Sequence, residues 1–117
     1  MGTNNDQNQL FPIFLKPEKL QFLIVGGGNA ASEKLRFLLK SSPTAMIRLV
    51  AEKVSKEILL LIVEHPHVEL RLRNFENADL EGMDISIIAT DDKERNLAIR
   101  EESKRRGIVT NVADTPA

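Results

Sequence analysis

Gly26, Gly28 and Ala31 stand at the spacing G-x-G-x-x-A within LIVGGGNAASEKLRFLL, residues 23–39. Each position has a mechanical use. Glycine at 26 permits a tight turn out of a strand. Glycine at 28 lets the backbone approach a pyrophosphate with no Cβ in the way. A small residue at 31 lets the next helix pack close to the strand. The helix start adds unpaired N–H groups and the positive end of its dipole, which suit phosphates. Gly26, Gly27, Gly28, Asn29, Ala30 and Ala31 are therefore candidate cofactor-binding residues. The motif gains weight from lying between a strand pattern and a helix pattern. The plainer reading is a glycine-rich connection without a ligand, but three consecutive glycines are costly to order.

Other residues fall at positions where such a fold does chemistry. An acidic residue about 20 positions after the first glycine can hold a ribose hydroxyl. Glu52 lies near that position, at the end of VAE. Its charge disfavours a 2′-phosphate, so NAD is modestly preferred over NADP. A solvated Glu opening the next helix is an equal reading. Thr90 ends an apolar run, where a cofactor would pass, and Asp91 or Asp92 reads as the cap of the next helix. Asp114 follows another apolar run on the same edge and could serve as an acid or base. Its spacing alone favours a turn-forming Asp before Thr115-Pro116. His65 and His67 flank a proline with no partner at ligand spacing, so no metal site is expected.

The elements that must position these residues alternate. Residues 21–25, 46–51, 68–72, 84–89 and 108–112 read as strands. Helical spacing recurs at Ala31, Leu35, Leu38 and Leu39, then at Val54, Ile58, Leu61 and Ile62. Residues 91–106 form a charged helix with alternating signs, read as a salt-bridged solvent face and closed by Gly107. Residues 74–83 hold only a turn or a short helix. This alternation implies an α/β fold: a doubly wound, Rossmann-type parallel sheet of five strands, order 3-2-1-4-5, in a single domain. Ligands of such sheets bind beyond the carboxyl ends of the strands, at the switch point between the first and fourth.

Composition narrows the classes further. The 117 residues carry a formal net charge of -1, with 42% hydrophobic residues and no cysteine. That excludes disulfides, thiolate metal sites and a cysteine nucleophile. The charge gives no field to recruit nucleic acid, and no apolar run approaches a membrane span. A cytoplasmic location is expected. Residues 1–9 read as a disordered lead-in and 10–117 as the nucleotide-binding domain. LFPIFL, residues 10–15, stands outside the alternation and should lie on the sheet or near a ligand.

LFPIFLK, LIVGGGNAASEKLRFLL, IIATDDKERN and VTNVAD together resemble the dehydrogenase domain of siroheme synthase, the precorrin-2 dehydrogenase family. The resemblance covers most of residues 10–116. LFPIFL and the A-T-D-D-x-x-x-N segment (residues 89–96) are more specific than the glycine turn. It implies NAD-dependent oxidation of the tetrapyrrole precorrin-2 to sirohydrochlorin in siroheme biosynthesis, with insertion of ferrous iron in several members. It further implies that residues 26–29 hold the pyrophosphate, that Thr90 lies by the cofactor and that Asp114 is the catalytic carboxylate. A homodimer built through a C-terminal region beyond Ala117 is also implied. The rival reading is an NAD-sensing regulatory module without catalysis, which wants a firm acid after the second strand and no LFPIFL prelude.

Overall fold

The structure, a computed structural model, describes residues 20–113. The lead-in, LFPIFL and Asp114 lie outside the described residues. At the centre runs β1 (Gln21–Val25), buried from Phe22 onward. A strand covered on both faces reads as a continuous apolar run, and its side chains alternate between the faces. Phe22 and Ile24 accordingly join a core with Leu35 and Ile58, while Leu23 and Val25 join a second core with Leu80 and Ile99. Each fully buried aliphatic side chain of this kind contributes about 1.5–3 kcal/mol.

β2 (Met46–Ala51), β3 (Glu69–Leu72), β4 (Ile85–Ile88) and β5 (Val109–Val112) complete the sheet. All pairings are parallel, and the order is β3-β2-β1-β4-β5, as the sequence predicts. The result is one α/β domain.

The helices follow their apolar stripes. α1 (Asn29–Ser41) buries the predicted Ala31, Leu35, Leu38 and Leu39, together with Ser32. α2 (Lys56–Glu64) starts later than its apolar series, because Ser55 caps it by accepting from the Ile58 N–H at 3.2 Å. Val54 packs against the first core from the preceding loop. Between β3 and β4 there is only a 3-10 helix, Asn77–Leu80. α3 (Lys93–Arg105) is capped by Asp92, which accepts from the Arg95 N–H at 3.0 Å, so Asp92 rather than Asp91 fills that role. Gly107, at φ 74°, supplies the left-handed turn beyond it.

Candidate functional site

The glycine turn leaves β1 beneath its neighbours' backbones. Gly26 has φ 137°, a region that L side chains rarely adopt. A Cβ there would overlap the Ala89 carbonyl, and one on Gly27 would overlap the carbonyl of Lys53. Hydrogen bonds fasten the turn: Gly26 N–H donates to Val50 O at 3.0 Å, and Ser55 N–H donates to Gly27 O at 2.8 Å. Gly28 differs. It has no atom within 4 Å of its virtual Cβ, so it faces open space. It is also the N-cap of α1, which has no side-chain cap and no acidic residue in its first turn. The N–H groups that open α1 therefore lack a side-chain acceptor, and an anion would suit them.

That open space belongs to a cavity of about 640 Å³ beyond the carboxyl ends of β1, β2 and β4. Gly26, Gly27, Gly28, Asn29, Ala30, Glu52 and Thr90 all line it, brought together from three segments of the chain. Ala31 does not: it is fully buried in the core, so its part is to let α1 lie close to the sheet. Glu52 is exposed just past the end of β2. Thr90 is half-buried, and Asn96 of α3 donates its Nδ2–H to the Thr90 carbonyl at 2.9 Å and accepts from the Thr90 hydroxyl. Asp114 falls outside the described residues. Ala113 before it donates to Ile88 O at 2.8 Å, which holds the end of β5 beside β4.

One wall was not expected from the sequence. Arg73, Asn74 and Phe75, from the segment after β3, line the cavity with Lys53 and Arg95. Arg73 is held from below by Asp79, which is fully buried. Asp79 accepts from Arg73 at 2.6 and 2.9 Å, from Arg71 at 2.7 Å and from the Glu76 N–H at 2.8 Å. Burial alone would raise the Asp79 carboxyl, but Arg73, the Glu76 amide and Arg71 outweigh it and bring it down to about 2. Arg95 continues the wall by donating to Asn74 Oδ1 at 3.2 Å. The signal for this wall was the R-x-R of residues 71–73. Arginines in an edge strand and just past its end read as solvated until a buried carboxylate is known to collect them.

Among the described residues no group of three or more His, Asp or Glu could hold a metal ion, and no helix is long and apolar enough to cross a membrane.

At 36% identity, 106 residues match a siroheme synthase of Pseudoalteromonas atlantica, covering 91% of this chain and 22% of the relative. A siroheme synthase of Methylococcus capsulatus is 38% identical over 105 residues, covering 90% and 22%. The chain thus spans about a fifth of the length of these relatives. Among solved structures, SirC, a precorrin-2 dehydrogenase, superposes with a TM-score of 0.71 at 23% identity, over 92% of this chain and 51% of that one. A short-chain dehydrogenase/reductase from Veillonella parvula in complex with NADP gives 0.61 at 18% identity, over 80% and 45%. At such identities these two likenesses establish the fold. The family model described as "Putative NAD(P)-binding" matches residues 13–117, nearly the whole sequence, and the chain belongs to that NAD(P)-binding family.

Proposed function

We propose that this chain is the dinucleotide-binding part of an NAD-dependent precorrin-2 dehydrogenase. The observation that carries the proposal is the uncapped start of α1 behind Gly28, opening onto the cavity. The substrate is taken from the name of SirC, a precorrin-2 dehydrogenase, and is in keeping with the likeness to siroheme synthases. In this reading the backbone of Gly26, Gly27, Gly28, Asn29 and Ala30 holds the pyrophosphate. Glu52 accepts from the adenosine ribose hydroxyls and repels an added 2′-phosphate, so NAD should bind at least about tenfold more tightly than NADP. Competing titrations check this, and equal affinities would remove Glu52 from the ribose site. Bound NAD supplies a hydride acceptor, while the protein supplies position. Asp114 takes up, at its carboxylate, the proton that the reduced macrocycle loses. A homodimer and ferrous iron as a second substrate extend the proposal, and both rest on the sequence resemblance rather than on any contact described above.

The test is a titration with NAD of the protein carrying the C-terminal region that the resemblance implies, followed by addition of precorrin-2 and measurement of NADH absorbance. Saturable binding and NADH formation are expected. No NAD binding would overturn the proposal, and binding without NADH formation would favour the regulatory module. Asp114→Ala should slow NADH formation about a hundredfold with unchanged NAD affinity. An undiminished rate would remove Asp114 from the chemistry.

A further inference from the structure

We infer that Asn96 is a positioning residue that turns Thr90 into a hydrogen-bond acceptor towards the cavity, so that the end of β4 recognises a donor group of the dinucleotide and not its phosphates. The inference rests on the NAD-binding reading and deepens it.

Asn96 is 9% exposed. One of its amide atoms lies 2.9 Å from the Thr90 carbonyl oxygen. A carbonyl can only accept, so that atom is Nδ2, and Oδ1 is left facing the Thr90 hydroxyl. An amide oxygen can only accept too, so the hydroxyl proton points at Asn96. A hydroxyl has one proton, and the 3.3 Å approach of Thr90 Oγ1 to the Asp92 carbonyl therefore carries none. The Asp92 N–H donates to the same oxygen at 3.2 Å, which occupies one lone pair. Among the described residues no other donor reaches this oxygen, which leaves one lone pair on a residue that lines the cavity. Ionised phosphate oxygens are acceptors and cannot pair with it. A ribose hydroxyl, the nicotinamide carboxamide N–H or the adenine amine can. The pairing of Asn96 with Thr90, six residues back, also gives the A-T-D-D-x-x-x-N segment a physical reason: it fixes the polarity of one hydroxyl.

Binding of NAD, of inorganic pyrophosphate and of NAD analogues lacking the carboxamide amine, the adenine amine or a ribose hydroxyl tests this. Thr90→Val and Asn96→Ala should each weaken NAD about three- to tenfold, the worth of one hydrogen bond. Thr90→Ser should restore the affinity. Pyrophosphate should compete equally well against all variants. One analogue should bind Thr90→Val and the unaltered chain alike, which names the donor. If Asn96→Ala does not fold, Thr90→Val and Thr90→Ser carry the test. Equal losses for NAD and pyrophosphate would mean bracing without recognition and would overturn the inference, as would full NAD affinity in Thr90→Val. Failure of the unaltered chain to bind NAD would instead overturn the proposed function itself, so the two failures are distinguishable.

Discussion

Gly27→Ala is expected to unfold the domain or come close to it, whereas Gly28→Val should leave the fold intact and remove dinucleotide binding. The two glycines are adjacent, but their surroundings are opposite. A methyl on Gly27 would overlap the Lys53 carbonyl and part the Gly27–Ser55 hydrogen bond. Neither obstacle is the flexible end of a side chain, so the strand-to-helix turns after β1 and β2 must separate. We expect a cost above about 4 kcal/mol, a large share of the 5–15 kcal/mol by which small domains are stable. Gly28 has φ -102° and open space where its Cβ would be. Valine fits that backbone, but its side chain fills the place of the pyrophosphate. Affinity for NAD should fall by more than a thousandfold, about 4 kcal/mol. Thermal melting and NAD titration of both variants check this. A stable Gly27→Ala variant would refute the packing argument, and a Gly28→Val variant with full affinity would refute the placement of the phosphates.

Asp79→Asn should destabilise the domain by about 1–3 kcal/mol, since it removes the charge of a fully buried carboxylate that accepts from two guanidinium groups, while Arg71 keeps Glu69 at 2.6 Å and Arg73 keeps Glu76 at 4.0 Å. Urea denaturation at neutral pH measures the loss, and an unchanged midpoint would show that the cluster contributes nothing net. The same residue sets an acid limit. Its folded pKa, about 2, lies below the ordinary aspartate value of 3.8. A depressed carboxylate pKa contributes stability that is fully present above the unfolded value and is lost as pH falls through the folded one. Roughly 2 kcal/mol should therefore disappear between about pH 4 and pH 2. Asp79→Asn should flatten that part of the pH profile.

Much of this was legible in the sequence, for a simple reason. The strands of a parallel sheet covered on both faces are near-continuous apolar runs, and QFLIV and MIRLVA, the latter interrupted only by Arg48, announce themselves. The stripe Ala31, Leu35, Leu38 and Leu39 gave α1 its buried face. Helix starts were less exact because a capping side chain, Ser55 or Asp92, decides the first residue, and the apolar period does not report it. Spacing made residues 26–30, Glu52 and Thr90 legible as neighbours at the strand ends, and they line one cavity. Gly27 was legible only as part of the glycine turn; its steric constraint comes from Lys53, a neighbour only in the folded chain. Asp79 was equally invisible. One of three acids in a polar connection, it reads as surface until Arg71 and Arg73 are seen to converge on it.

The bond from Ser55 to Gly27 and that from Gly26 to Val50 fasten the turn after β1 to β2 and to the loop that follows it. The groups that would meet the phosphates and those that would meet the ribose therefore belong to one rigid body. A ligand entering there has little loop ordering to impose, so the entropy lost on association is chiefly its own. The price of organisation was met at folding, and exchange of the dinucleotide need not wait for a rearrangement of the cradle.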